Sequence, residues 1–507
     1  MMTPRWPKLR GWDDPAGNDN LAVAETTGYT FEKRSNTASG ESDINQPASD
    51  NPYLRGRLAP WPMEGEIHDV AVEGEIPEQL RGSYYRNGAN PQFPQLESYH
   101  IFDGDGMIHA FEIEAGRCRY LNRWVRTERF QLERNEGERV FNGLLSGLPP
   151  DPRSTGVSGN AANTNVVWHG GRLLALWEAG PPYELDPNGL ATLGVCDFDG
   201  KLRREAGPGS FTAHPKIDPK TGEMIFFGYN LAPPYLNYGV IGPTGRLVRW
   251  IEIESPHPSM LHDFVVTDRH VVFPVFPNTF SPENFSKTGM PFAWEPERGT
   301  HLGVMPRDGG ADDVVWLTAD PCNVFHFLNA HSEGDRVTID FCRFDALPLF
   351  GLESGLPRLC RWTLDVAAGT VHEERLDDVV VEFPRIDDRI AGLRHRHGWF
   401  ASSMETGEKL GGVGVFNAVV HHDFERGTRR HHQLADEDFA GEPVFVPRSA
   451  DADEGDGFLL FLAYRGEERR SQLMVFDAQN IDREPLAKVL LPHPVPLGFH
   501  GNWRQAE

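Results

Sequence analysis

GFLLFLAY at residues 457–464, followed across a short polar link by QLMVFDA at 472–478, reads as two consecutive β-strands. Each run is shorter than an ordinary helix and rich in aromatic or branched residues, and the first is entered through the turn former EGDG at 454–457. The pattern recurs upstream in RLLALWE (172–178), EMIFFGYN (223–230), HVVFPVF (270–276) and RVTIDFC (336–342). Between such runs, DFDGKL, DPKTGEM and GPTGRL place Asp or Gly where a hairpin needs positive φ. Long amphipathic helical stretches are scarce. An all-β chain of 507 residues can avoid exposed sheet edges by radial repetition, and a propeller of four-stranded blades does so, although no WD-like repeat marks blades here. Residues 1–50 are rich in Ser, Asn, Asp and Gly and have no hydrophobic period, which predicts a disordered tail before a single domain over 51–507.

Composition narrows the function. Forty-nine Lys and Arg against 74 Asp and Glu give a net charge of -25, which argues against nucleic acid as a partner. Five cysteines, Cys118, Cys196, Cys322, Cys342 and Cys360, form no CxxC pair and no even framework, so free thiols in a reducing, cytoplasmic compartment are expected. Residues 1–24 lack an apolar signal core, and no run approaches the roughly 18 apolar residues of a spanning helix, which predicts neither export nor an integral membrane segment. Peripheral membrane contact and the oligomeric state stay open.

The chemistry lies in the histidines. Of twenty, four stand in well-separated strand-like text: His214 in FTAHPKIDP, His262 in MLHDFVVTD, His326 in VFHFLNAH and His500 in LGFHGNW. Neutral imidazole suits divalent iron, and the gaps of 48, 64 and 174 residues approximate one, one and three blades if innermost strands deliver ligands to a central axis. The pairs His421–His422 and His431–His432 lie in the polar stretch HHDFERGTRRHHQ and are expected on a solvated hairpin, where neighbouring side chains point to opposite faces. Glu178, Glu382 and Glu442 interrupt apolar text, and a ligating imidazole commonly donates its other N–H to such a carboxylate; each reads equally well as a structural ion-pair partner. FDGDGM lacks the ligand spacing of an EF-hand and reads as a tight turn. GxSxG, HExxH and Walker A patterns are absent.

Ten segments in one order, from NPYL at 51 to HGNW at 500, carry a resemblance to a known family. They include YYRNGANP (84–91), YHIFDGDGMIHAF (99–111), NTNVVWHGGRLLALWE (163–178), TAHPKIDPKTGEM (212–224), MLHDFVVT (260–267), FHFLNA (325–330), EFPRID (382–387), EPVFVP (442–447) and FHGNW (499–503). With them the chain resembles the carotenoid cleavage oxygenases, including the lignostilbene dioxygenase and isoeugenol monooxygenase relatives. The resemblance implies a seven-bladed β-propeller with a loop and helix cap, and one Fe(2+) per chain held by His214, His262, His326 and His500. It further implies Glu178, Glu382 and Glu442 behind those ligands and Thr164 crowding a vacant coordination position. No catalytic group beyond the iron centre is expected.

Four neutral imidazoles leave a site with its full positive charge and open positions for O2. The reaction implied is scission of a conjugated C=C bond of a small apolar substrate to two carbonyls. A carotenoid or apocarotenoid is put first; the alternative is a phenolic alkene such as lignostilbene, resveratrol or isoeugenol. Phenol-cleaving relatives engage the substrate hydroxyl with a Tyr and a Lys, where this chain offers Tyr99 and Arg129, and an arginine cannot serve as a tunable base. A non-catalytic propeller binding protein is the remote alternative, and isomerase chemistry on a retained iron remains for product analysis to exclude.

Overall fold

The computed structural model describes residues 29–32 and 50–506, except 145, 147, 179, 205–206, 282, 284–291, 350–353, 405–408, 411–412 and 415. The runs at 457–464 and 472–478 form the antiparallel strands Gly457–Arg465 and Arg470–Asp477, with Leu460 opposite Val475. The other predicted strands form too, at Arg172–Leu176, Met224–Tyr229, His270–Val275 and Arg336–Phe344. Gly222 and Gly245, with φ of 70° and 77°, take the left-handed conformation in the turns flanking Leu236–Ile241 and its neighbours.

The strands build antiparallel sheets in chain order. Lys216–Ile217, Met224–Tyr229, Leu236–Ile241 and Leu247–Ile253 make one sheet of four, and Val265–Val266, His270–Val275, Thr300–Pro306 and Val315–Ala319 the next. A seven-stranded sheet runs from Asn323–Glu333 to Thr428–Gln433. The ends of the chain are sewn together: Gly501–Gln505 pairs with Gly82–Ala89, and Ala71–Gly74 with Ala487–Leu490. Apolar cores lie between consecutive sheets. Leu174 packs with Phe226, Phe227 with Phe273, and Tyr84 and Phe111 with Leu460 and Val475. Strands covered on both faces read as continuous apolar runs, which is why GFLLFLAY shows no alternation.

The hairpin containing the paired histidines differs from expectation. His421 and His422 are buried, because Ala418–Asp423 is an interior strand between His397–Ser403 and Thr428–Gln433. His421 stacks on Trp399 at 5.3 Å and His422 bonds Asp377 at 2.6 Å; only the outer strand bearing His431 faces water. All five cysteines are free and buried. No helix among the described residues is long and apolar enough to cross a membrane. Tyr29–Glu32 pairs with Glu64–Ile67, and the remainder of the tail predicted over 1–50, Asp50 apart, lies outside the described residues.

Candidate metal centre

His214, His262, His326 and His500 come together with their ligating nitrogens all within 4.8 Å of one another. Three of them lie just before short strands, at Lys216–Ile217, Val265–Val266 and Gly501–Gln505, rather than inside strands as the sequence suggested. His326 sits within Asn323–Glu333 beside an irregularity in register at Val324–Phe327, which turns its ring toward the others. Neighbouring backbones hold the cluster: the His500 N–H donates to Thr164 O at 3.1 Å, and Asn87 N–H to His500 O at 2.9 Å.

Three rings are fixed from behind. His262 Nδ1 bonds Glu178 at 2.5 Å, His326 Nδ1 bonds Glu382 at 2.5 Å, and His500 Nδ1 bonds Glu442 at 2.9 Å. A carboxylate accepts, so each Nδ1 carries the proton and each Nε2 presents a lone pair to the centre. Among the described residues His214 has no such carboxylate; its backbone N–H donates to Thr212 Oγ1 at 2.9 Å, and its Nε2 lies 3.0 Å from His262 Nε2. His326 Nε2 is buried without a hydrogen-bond partner. Lone pairs converging at this separation in a buried pocket, with a proton donor absent at His326, fit a bound cation.

The electrostatics favour the neutral form at His214 and His500, whereas at His326 burial is outweighed by the Glu382 carboxylate, which raises the imidazole above its usual range. Burial, reinforced by the other imidazoles, pushes His214 well below the usual histidine range, and burial pushes His500 down to about 3 against the pull of Glu442. Burial would raise Glu442, but His500 and Arg385 hold it down at about 2. Arg385 lies 3.3 Å from that carboxylate. Sequence reading had not singled out Arg385, although it lies in the EFPRID motif. Nor had it found Tyr229, whose hydroxyl donates to Glu178.

The imidazoles form a partition between two cavities. On one side lies a cavity of about 730 Å³, bordered by His262, His326 and His500 and by aromatic residues such as Phe102, Trp177 and Phe325. On the other lies a cavity of about 460 Å³, bordered by His214, His326 and His500 and by charged groups including Lys216, Asp218 and Arg307. Thr164 borders the larger cavity and donates from Oγ1 to Asn163 at 3.0 Å.

Tyr99 and Arg129 are not among its described lining residues. Tyr99 is buried against Gly104, where an added Cβ would stand 2.6 Å from its hydroxyl. Arg129, in the helix Glu128–Glu136, donates to Asp103 O at 2.5 Å and lies 3.8 Å from Asp105. Within FDGDGM, Asp103 closes a capping box with His100 and Asp105 Oδ2 accepts from Gln92 N–H, while Asp105 Oδ1 faces Arg129 without a hydrogen bond.

Residues 58–505 match the model of the family described as Retinal pigment epithelial membrane protein, RPE65. The isoeugenol monooxygenase of Pseudomonas nitroreducens is 34% identical over 474 residues, covering 89% of this chain and 98% of that protein. The carotenoid cleavage oxygenase of Mycobacterium tuberculosis is 36% identical over 509 residues, covering 90% of this chain and 98% of that protein. Among solved structures, the lignostilbene dioxygenase of Pseudomonas brassicacearum superposes with a TM-score of 0.84 at 32% identity, covering 91% of this chain and all of that one.

Proposed function

The chain belongs to the RPE65 family of carotenoid cleavage oxygenases, and on that premise we propose that it is a non-haem Fe(II) dioxygenase that cleaves a conjugated C=C bond of an apolar substrate. The observation that carries the reading is the set of four imidazoles, three backed by carboxylates, at the wall of a largely apolar cavity. His214, His262, His326 and His500 would hold the ion, with Glu178, Glu382 and Glu442 keeping three Nε2 lone pairs directed at it. Bound Fe(II) supplies the unpaired-electron chemistry with O2 that closed-shell side chains lack.

The chain's own groups do the rest. Phe325, Phe383 and Phe416 border the cavity near the cluster and exclude water from the alkene. Thr164 narrows the approach beside His500. No residue bordering the cavity need move a proton, because both atoms of one O2 end in the two carbonyl products and no external reductant is consumed.

The strand pattern and the pairing of the chain's two ends support a seven-bladed propeller over 51–507, with the seven-stranded sheet long enough for two blades. The loop around Pro152–Ser154 and the helix Glu128–Glu136 would form part of its cap. Five free cysteines fit a cytoplasmic location. A carotenoid or apocarotenoid is the first substrate reading: the cavity is long on aromatic walls, and Tyr99 and Arg129, which would hold a phenol, stand behind them. The likeness to isoeugenol monooxygenase and lignostilbene dioxygenase favours a phenolic alkene as the second.

The test is incubation of anaerobically purified, Fe(II)-loaded protein with carotenoids, apocarotenals, hydroxystilbenes and isoeugenol under labelled oxygen, followed by mass spectrometry. Polyene aldehydes support the first reading and vanillin-type aldehydes the second. Recovery of every alkene intact, or of isomers alone, overturns cleavage.

A further inference from the structure

The cavity on the aromatic side of the imidazoles contains a charged group that alkene cleavage as such does not use. Arg86, in the strand Gly82–Ala89, is 2% exposed and lines that cavity. Its Nε and Nη1 have no hydrogen-bond partner, and among the described residues no carboxylate lies within ion-pair distance of it. A guanidinium cannot shed its charge at physiological pH, and burial without a partner is unfavourable for it.

The carboxylates bordering the same cavity bond other groups, not Arg86. Glu178 accepts from His262 and Tyr229, and Glu382 Oε2 from His326 and the Phe383 N–H, while Glu382 Oε1 is buried without a hydrogen-bond partner. Asp103 accepts from the backbone N–H groups of His100 and Leu144. Glu442, behind the wall, is within electrostatic reach of Arg86 but bonds His500 and the Gly501 N–H, with Arg385 at 3.3 Å.

The wall beside Arg86 is positive as well. Its Nη2 lies against Gly441, where an added Cβ would stand 3.3 Å away. Two residues earlier, Phe439 carries the guanidinium of Arg57 over its ring at 4.0 Å, and Arg57 borders the same cavity. One end of a chamber with largely aromatic walls therefore carries two cations, one of them with unpartnered buried donors.

We propose that Arg86 anchors an anionic oxygen terminus of the substrate, a carboxylate or a phenolate, with Arg57 adding positive potential at the same end. The proposal rests on the alkene-cleavage reading and narrows it: the substrate is an alkene with one acidic end, such as a polyene carboxylic acid or a 4-hydroxystilbene. The anchor would set which double bond faces the imidazoles by fixing the distance from the acidic end. A competing role for Arg86, electrostatic support of Glu442 alone, would affect metal retention and treat all substrates alike.

Two matched pairs separate these roles: an apocarotenoic acid with its methyl ester, and 4-hydroxystilbene with 4-methoxystilbene. Affinity is read without oxygen from quenching of tryptophan fluorescence in the iron-loaded protein, since Trp177 borders the cavity, and kcat/KM is then measured with oxygen. In the wild type the acidic member of one pair should bind about 10- to 100-fold tighter than its neutral partner, and in Arg86→Gln that preference should shrink to within about threefold. The pair that responds identifies carboxylate or phenolate. Equal binding of both members of both pairs by the wild type overturns the anchor without recourse to any variant. So does a preference that survives in an Arg86→Gln protein with wild-type iron content. An acid preference with no carbonyl product from any of the four compounds would overturn the cleavage reading and leave the anchor standing.

Discussion

The hydroxyl of Tyr229 donates to Oε1 of Glu178, while Oε2 of the same carboxylate accepts from His262 Nδ1 at 2.5 Å. Tyr229 thereby holds the carboxylate that holds the imidazole, and burial pushes its own phenol well above the usual tyrosine range, so it stays a donor. Tyr229→Phe keeps the ring and deletes that donor. We expect iron affinity to fall by about threefold to tenfold, the scale of one hydrogen bond to a charged acceptor acting through a second residue. Isothermal titration with Fe(II) or Co(II) checks this, and unchanged affinity would reduce Tyr229 to cavity packing.

Glu382 carries more. It bonds His326 Nδ1 and also accepts from the Phe383 N–H, and Phe383, at a positive φ of 49°, stacks on the His326 ring at 5.1 Å. Glu382→Gln retains the shape and removes the charge that orients His326. Metal affinity should drop by about 10- to 100-fold, with a folded protein by circular dichroism. The same affinity as wild type would leave Glu382 a purely structural acceptor.

How much of this was legible in the sequence follows from what each residue type reports. GFLLFLAY and its counterparts identified strands because burial on both faces demands unbroken apolar text. The four histidines stood out because each lies in its own well-separated, strand-like stretch. Their placement ahead of strands rather than within them was not legible, since a ring must leave the regular ladder to reach a shared centre, and periodicity carries no mark of that departure. His421 and His422 read as solvated because their flanks are polar, yet tertiary pairing put their strand in a sheet interior. Arg129 illustrates a further limit. It opens a helix whose inward face meets Asp103 and Asp105, and one sequence does not say whether a side chain stops at a cavity wall or behind it.

Removing a ligand separates fold from metal. His262 supplies one of four nitrogens, and its neighbours Leu261 and Phe264 belong to an apolar core that does not involve the imidazole. His262→Ala should lose most bound iron and all turnover while keeping its β-sheet spectrum and a cooperative unfolding transition. Plasma emission spectroscopy for iron, run beside circular dichroism, decides the point: normal iron content would remove His262 from the ligand set, and loss of the fold would show that the cluster is structural.

The acid response of the fold has a source distinct from the metal. His421 lies between His397, 2.9 Å from its Nε2, and the Trp399 ring, and burial pushes it down to about 3. In the unfolded chain it would titrate near 6.5, so between these values the unfolded state binds a proton that the folded state refuses. The stabilising contribution is complete above pH 6.5 and is lost as pH falls toward 3. At pH 5 the loss is about 2 kcal/mol from this group, roughly 1.5 pH units below the unfolded value. His421→Phe keeps a ring against Trp399 and cannot titrate. Relative to wild type, its unfolding free energy should therefore improve by about 2 kcal/mol between pH 7.5 and pH 5, whatever its offset at neutral pH. Urea denaturation of both proteins at the two pH values measures the difference directly. Parallel pH profiles would mean that His421 takes up its proton in the folded state and that the acid sensitivity lies elsewhere.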